Sequence, residues 1–167
     1  GRPMELVRGV VVMMNMPGGR HGQVCWRIAA VLDRFLEGRD LGQAFTNDTG
    51  VITERGPDTV RGADLSYYSF SRLPFGPAPR GYPPNPPEVV FEVRSPTDAW
   101  SELIVKTGEY LKAGVLAVAL FEPDDWKIHV YRPNSPPIVL TADDTLELPE
   151  IHEDFRVAAA RFFEPAR

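Results

Sequence analysis

The stretch Glu88-Val-Val-Phe-Glu-Val-Arg-Ser-Pro96 decides the fold of this chain. Its apolar residues predict a buried strand over residues 88–94, and the residues of Ser95-Pro-Thr-Asp98 favour the start of a helix. Apolar residues then recur at helical spacing over 100–111, and Gly114 ends the pattern. A buried strand that leads into a helix and then into further strands is typical of a mixed α/β fold.

The rest of the chain predicts more strands and one more main helix. Residues 4–7 and 10–14 predict a hairpin, and apolar residues at helical spacing predict a helix over residues 21–37. Further strands are predicted over 45–54, 59–69, 115–122, 127–132 and 137–141, and a short helix over 155–163. We therefore expect a twisted mixed sheet flanked by two main helices, in a single domain that covers residues 1–167.

Prolines are concentrated in residues 74–87, which predict neither a helix nor a central strand. We expect a surface loop with polyproline character. A segment of this kind is also a candidate ligand for an aromatic groove on a partner protein.

The bulk composition narrows the class of protein. A net charge of −5 argues against a dedicated high-affinity nucleic-acid binder, whose surface is usually basic, but it allows an enzyme that offsets its own acids with metal ions. The single cysteine, Cys25, excludes an internal disulfide and favours a reducing, cytoplasmic location. Cys25 lies on the apolar side of the first predicted helix and is expected in the core. Neither a membrane-spanning run nor a signal peptide is predicted.

Two acids are candidates for a metal site. Glu92 lies inside an apolar strand, where a carboxylate is costly to bury without a partner. Asp64 is expected near a strand end, where metal sites are commonly built. Paired carboxylates that hold Mg²⁺ beside a lysine suit phosphodiester hydrolysis. The alternatives are an exposed strand-edge or turn position for Asp64, and a surface ion pair of Glu92 with Arg94 or a lysine.

Three further residues have both a chemical and an ordinary interpretation. Lys106 flanks the apolar stripe of the second helix and can reach a strand edge, but a surface pair with Glu102 at i−4 is the ordinary alternative. His21 lies at the start of the first helix. It is interpreted there as a cap or a surface residue, or as a residue that contacts a phosphate group. Glu5 lies between Met4 and Leu6 in the first strand, so its side chain points to the opposite face from theirs.

Several short motifs occur in the order found in a known family. They are Met4-Glu-Leu-Val-Arg-Gly9, His21-Gly22, Gly56-Pro-Asp-Thr-Val-Arg61 with Asp64, Val90-Phe-Glu-Val-Arg-Ser-Pro96, and Lys106-x-x-x-Tyr110. With them, the chain resembles over residues 4–155 the Uma-two family of restriction-endonuclease-like proteins, a branch of the PD-(D/E)xK nuclease superfamily.

The resemblance implies a restriction-endonuclease-like core and a metal-dependent endonuclease that hydrolyses phosphodiester bonds in DNA. It implies Mg²⁺ or Mn²⁺ held by Asp64 and Glu92, and a homodimer. The superfamily's usual lysine position is occupied here by Arg94, so the resemblance assigns the lysine role to Lys106 on the following helix. The implied catalytic residues are Asp64, Glu92 and Lys106, with Glu5 as a supporting acid and His21 as a family-typical residue of unassigned role.

A second interpretation makes the chain a catalytically inactive module. A nuclease-like fold can serve only for binding or oligomerisation. The acidic net charge, Arg94 in place of a lysine and the proline-rich loop favour this alternative.

Overall fold

The computed structural model describes residues 3–165, so the two residues at each end of the predicted domain lie outside the described part of the chain. In chain order the elements are β1 (Met4–Val7), β2 (Val10–Met13), α1 (Gly19–Leu36), β3 (Gly42–Glu54), β4 (Thr59–Ser69), β5 (Val89–Val93), α2 (Trp100–Lys112), β6 (Ala117–Glu122), β7 (Lys127–Tyr131), β8 (Ile138–Leu140), β9 (Thr145–Glu147), β10 (Arg156–Ala158) and a short 3-10 helix (Ala159–Phe162). The predicted hairpin, the two main helices and the strands of the predicted sheet are all present.

Eight strands form one mixed sheet, as predicted. Strands β2, β1, β4, β5, β6, β7 and β8 follow one another across it, and β3 pairs with β4. The strand pairs of this sheet are antiparallel, except that β5 and β6 run parallel. Because parallel neighbours need a crossover connection, α2 lies between them in the chain and covers the sheet.

Strand β5 separates two parts of the core. Phe91 packs in a buried cluster with Ile28 of α1, whereas Val90 packs in another cluster with Tyr110 of α2. Successive side chains of a strand point to opposite faces, so the two helices cover opposite faces of the sheet. Glu92 is therefore on the face that α2 covers.

Helix α1 forms because its apolar residues recur once a turn. Val24, Ile28 and Leu32 are buried, at intervals of four residues. The helix ends before Gly38, which adopts a positive φ of 69° and confirms the predicted stop. Within residues 3–165, neither this helix nor any other is long and apolar enough to cross a membrane.

Helix α2 differs from the prediction at its start and in its buried face. The helix begins at Trp100 after Ala99, which makes no side-chain cap bond. The carboxylate of Asp98 instead accepts from the Ser95 N–H at 2.7 Å, so the polar residues form a turn ahead of the helix. Ile104, predicted to be part of the apolar stripe, is exposed, whereas Lys106 is buried.

The C-terminal prediction is wrong in its first half. Residues 156–158 form strand β10, paired with β9, and a 3-10 helix follows. In β9, Leu146 is buried between two exposed residues, which is the alternation of a strand. Because β9 contains a single apolar residue, its sequence shows no repeated alternation that would predict a strand.

Candidate functional site

A gap in the hydrogen-bond ladder of β4 creates the site. β1 and β5 both pair with the same edge of β4, because β3 occupies the other edge. Gly62 lies between these two pairings, and side chains bond its backbone: its N–H donates to Glu5 Oε1 at 3.0 Å, and its carbonyl accepts from Lys106 Nζ at 2.8 Å. Buried backbone groups need partners, so polar side chains replace the missing strand here.

Lys106 connects the buried acids. Its ammonium group lies 3.0 Å from Glu5 Oε1 and 3.0 Å from Glu92 Oε1. Together with the Gly62 carbonyl, these acceptors match the three N–H groups of a lysine. Burial lowers the pKa of Lys106, but the neighbouring carboxylates outweigh burial and raise this pKa. The alternative of a surface pair with Glu102 is wrong, whereas the predicted reach to a strand edge is confirmed.

Glu92 is buried between helix α2 and the sheet. Its Oε1 atom accepts from the Tyr110 hydroxyl at 2.8 Å and pairs with Lys106. Burial raises the pKa of Glu92 to about 7; the charge of Asp64 adds to this effect, and Lys106 and Tyr110 oppose it. The alternative of a solvated pair with Arg94 is therefore wrong, because Glu92 pairs with a lysine inside the protein.

Glu5 belongs to the same buried network through strand β1. Arg61 donates from Nη1 to Glu5 Oε2 at 2.8 Å. It also forms a bidentate salt bridge with Glu109, in which Nε donates to Oε2 at 2.6 Å and Nη2 donates to Oε1 at 3.0 Å. Burial by itself would raise the pKa of Glu5, but Lys106 and Arg61 outweigh burial and lower this pKa. Glu5 is thus held as a carboxylate at the site, on the side away from its chain neighbours.

Asp64 lies inside β4 rather than at its end, which corrects the expected position. The ladder between β4 and β5 ends at Leu65 and Phe91. Asp64 and Glu92 are the next residues along the two strands beyond this last pair. Asp64 Oδ2 accepts from the Val93 N–H at 2.7 Å. The end of the ladder, not the end of the strand, sets this carboxylate beside Glu92.

His21 and Cys25 of α1 extend the site from the other face of the sheet. His21 Nε2 lies 3.2 Å from Asp64 Oδ1, and His21 Nδ1 lies 3.5 Å from Cys25 Sγ. Burial lowers the pKa of His21, but the hydrogen bond and charge of Asp64 outweigh burial and raise this pKa. Cys25 packs against the core, as predicted, and burial raises the pKa of its thiol. The sequence did not predict that Cys25 also contacts this site.

Negative charge exceeds positive charge at the site. Burial raises the pKa of Asp48, and the charge of Asp64 adds to the rise. The neighbouring acids are Glu5, Asp48, Asp64, Glu92 and Glu109, whereas the bases are Arg61, Lys106 and His21. Carboxylate oxygens in excess of cations are the ligands that Mg²⁺ and Mn²⁺ prefer, so the residues fit such an ion.

Arg94 lies outside this cluster. It donates from Nη1 to Glu122 Oε1 at 3.0 Å and stacks over the Trp100 ring. Arg94 therefore balances the charge of Glu122 rather than that of Glu92. A surface cleft beside it is lined by Arg94, Ser95, Pro96, Glu122, Pro123, Asp124 and Asp125, and not by the acids of the site.

Sequence reasoning missed two side chains that complete the cluster. Tyr110 follows Lys106 by four residues on the same helix face, and this spacing was interpreted as packing alone. Arg61 stands three residues before Asp64 and neutralises both Glu5 and Glu109. Both residues lie within the motifs that carry the family resemblance, which was the available signal.

The mixed sheet with buried acids and a lysine at one gap defines a nuclease-like fold. The model of the Uma2 family, described as "Putative restriction endonuclease", matches residues 1–160, so the chain belongs to this family. A crystal structure from Anabaena variabilis, described as a putative nuclease belonging to DUF820, superposes with a TM-score of 0.85 at 21% identity, over 96% of this chain and 89% of that chain. No curated protein matches the chain significantly.

Proposed function

We propose that this chain is a metal-dependent endonuclease that hydrolyses phosphodiester bonds in DNA. The observation that carries the proposal is the burial of Lys106 between Glu5 and Glu92, beside Asp64. Buried ionisable groups are costly, and groups with perturbed pKa values cluster at functional sites. Membership of a family described as restriction endonucleases supports DNA as the substrate. A cytoplasmic location and a single domain over 1–167 belong to the same proposal.

Asp64 and Glu92 would hold Mg²⁺ or Mn²⁺, with Glu5 in support. The excess of carboxylates over cations supports this assignment. Such an ion supplies Lewis acidity, which polarises a phosphoryl oxygen and lowers the pKa of a water molecule. Glu92 must be ionised to serve, and the Lys106 ammonium group favours that ionised form.

Lys106 would stabilise the negative charge that develops during phosphodiester cleavage. Its pKa is raised, so the ammonium form is maintained at neutral pH. Glu5 and the Gly62 carbonyl hold this group in place, which reduces the reorganisation needed in the transition state. His21 would orient the Asp64 carboxylate through Oδ1, while the Val93 N–H fixes Oδ2.

Two substitutions test the catalytic assignment. Asp64→Ala and Glu92→Gln should each lower Mn²⁺- or Mg²⁺-dependent cleavage of plasmid DNA by at least ~100-fold, because each removes a proposed ligand. Glu102→Gln is the matched control, since this glutamate is exposed on α2. Circular dichroism verifies that the variants fold. Cleavage that survives in both variants at the wild-type rate would overturn the proposal.

A second candidate function is an inactive nuclease-fold module that oligomerises. The observation that favours it is strand β2, an edge strand whose side chains are 40–64% exposed although all are apolar. Natural edge strands usually carry charges or prolines that prevent pairing. We propose that β2 pairs with β2 of a second copy. The absence of charge on β2 favours this occupant, because identical strands then meet without repulsion.

The amount of exposed apolar surface also suits a homodimer. The exposed apolar residues of the hairpin region are Met4, Val10, Val11, Val12, Met13, Met14 and Met16. Specific interfaces bury about 1,200–2,000 Å² in total, and an exposed apolar patch of this kind on each copy can contribute to such an area.

Calorimetric titration with Mn²⁺ separates the two functions. The endonuclease proposal expects saturable binding that Glu92→Gln weakens by at least ~10-fold, because it removes a charged ligand. If the chain is an inactive module, we expect no Mn²⁺ binding, or Mn²⁺ binding that Glu92→Gln leaves unchanged. Both functions allow a dimer, so the oligomeric state by itself does not decide between them.

A further inference from the structure

His21, Cys25 and Asp64 bring three different donor atoms together. His21 and Cys25 stand one helical turn apart on α1 and therefore project from the same side of the helix. One potential ligand atom from each of the three residues lies within 4.8 Å of the other two. Glu92 is not part of this trio, which distinguishes it from the all-oxygen ligand set proposed above.

The donor types match a thiophilic cation rather than Mg²⁺. Zn²⁺ is bound by cysteine sulfur, histidine nitrogen and carboxylate oxygen, whereas Mg²⁺ prefers oxygen alone. Bond lengths of ~2.0–2.3 Å in a tetrahedral centre place ligand atoms about 3.3–3.8 Å apart. The 3.2 Å distance to Asp64 is measured from His21 Nε2, and the 3.5 Å distance to Cys25 is measured from His21 Nδ1. Because one ion binds only one ring nitrogen, the three ligand atoms, which lie within 4.8 Å of one another, must move closer together when an ion binds.

The surroundings attract a cation to these donors. Burial raises the pKa of the Cys25 thiol, and the negative charges of Asp64, Glu92 and Asp48 raise it further. A cysteine nucleophile instead requires electropositive surroundings that stabilise its thiolate. The sequence Asp64–His21–Cys25 could otherwise suggest a nucleophile with its base and orienting acid, but the local charge disfavours that role. A divalent cation bound to these donors would displace the thiol proton and would offset the negative charge of the carboxylates.

We propose that His21, Cys25 and Asp64 form a binding site for a thiophilic divalent cation of the Zn²⁺ type, adjacent to the oxygen-rich Asp64–Glu92 site. The two sites share Asp64 and therefore compete for it. Zn²⁺ at this site withdraws Asp64 from Mg²⁺ or Mn²⁺ and inhibits cleavage, a consequence that rests on the proposed endonuclease function. Binding itself is independent of that function.

Titration of the metal-free full chain with Co²⁺ tests the site directly. We expect visible bands of a four-coordinate Co²⁺ centre together with a thiolate-to-cobalt charge-transfer band, saturating at one ion per chain and lost on addition of Zn²⁺. Because Cys25 is the single cysteine of the chain, this band reports on no other residue. Cys25→Ser should abolish the charge-transfer band, and His21→Gln should weaken Co²⁺ binding at least tenfold.

His129→Gln provides the matched control, because His129 pairs with Glu122 outside the trio and its loss should leave the spectrum unchanged. Circular dichroism confirms that each variant folds. Absence of the charge-transfer band in the wild type, or its persistence at full affinity in His21→Gln, overturns the proposal.

Mn²⁺ calorimetry on Cys25→Ser separates this proposal from the previous one. Retention of Mn²⁺ binding in Cys25→Ser, with loss of the cobalt band, supports two distinct ligand sets. Equal loss of Mn²⁺ binding and of the cobalt band in Cys25→Ser contradicts a separate thiophilic site. A wild type that shows the cobalt band but cleaves no DNA retains this site while the endonuclease proposal fails.

Discussion

Lys106 neutralises two carboxylates that are otherwise buried among apolar residues. Lys106→Met keeps the apolar stem of the side chain but leaves Glu5 and Glu92 without their shared ammonium partner. We expect the free energy of unfolding to fall by about 3–5 kcal/mol, because an uncompensated buried charge is strongly destabilising. Urea denaturation measures this loss.

The matched control for this change is Lys112→Met, since Lys112 is exposed on the same helix. Adding Glu92→Gln to Lys106→Met should recover part of the lost stability, because it removes one of the two unpaired charges. An equal cost for Lys106→Met and Lys112→Met would show that the buried ion pairs contribute nothing.

Glu92 should make the stability of the metal-free protein depend on pH. Its pKa is about 7 in the folded chain and near 4.5 ordinarily, so the folded state takes up a proton more readily than the unfolded state. The free energy of unfolding therefore increases as the pH falls from about 7 to 4.5, by up to about 3 kcal/mol from this group, and the gain is complete below that window.

Glu92→Gln should remove this gain. Other groups titrate in the same range, and the lowered pKa of Glu5 acts in the opposite direction, but both proteins share these effects. Urea unfolding at pH 7.5 and pH 5 in the presence of a chelator gives the difference. The same change in stability with pH in wild type and Glu92→Gln would contradict the assignment.

The sequence indicated which residues to consider but not all of their partners. Glu92 was conspicuous because a charged residue interrupts an apolar strand. Strand alternation also predicted that the Glu5 side chain points away from those of its two chain neighbours. The partners of Lys106 were not predictable locally, since Glu102 and Glu109 are the acids within about one turn of it on the helix, whereas its actual partners are 14 or more residues away in the sequence. Such contacts depend on register and burial, which only the folded sheet defines.

At the scale of elements, helix α2 begins without a side-chain cap. Ala99 has extended backbone angles and makes no cap bond, and Glu102 stands three residues later. Ala99→Ser should therefore complete a capping box with Glu102 and raise the free energy of unfolding by about 1 kcal/mol. Ala78→Ser, at an exposed position in the proline-rich loop, is the control. Equal stability of Ala99→Ser and wild type would show that the helix start needs no cap.

The long elements were predicted well, whereas two of the shortest strands were missed. Strand β4 and helix α1 contain enough residues for alternation or helical spacing to be recognised, and their predicted bounds agree within two residues. β9 and β10 have three residues each and were missed. The gap between β1 and β5 was also invisible in the sequence, because it follows from how far each strand extends along β4.

At the scale of the whole molecule, the two edges of the sheet differ in their distance from the candidate site. β2 and β8 are the end strands, and both carry exposed apolar residues. β2 belongs to the hairpin that carries Glu5, whereas β8 lies at the far end of the sheet. Pairing along β2 would hold the hairpin against the sheet and so support Glu5 at the site, which connects the proposed dimer to the proposed chemistry.

Substitutions on the two edges test the dimer. Val11 is 58% exposed and lies opposite Leu6 in the hairpin, on the face that does not carry Glu5. Val11→Lys should convert a dimer into a monomer, because it places like charges in the pairing strands at the cost of apolar contact. Val139→Lys, on β8, is the matched control, since Val139 is 50% exposed on the opposite edge. Sedimentation velocity over a range of concentrations gives the mass. A wild-type monomer throughout, or a dimer dissociated by Val139→Lys instead of Val11→Lys, would exclude β2 as the interface.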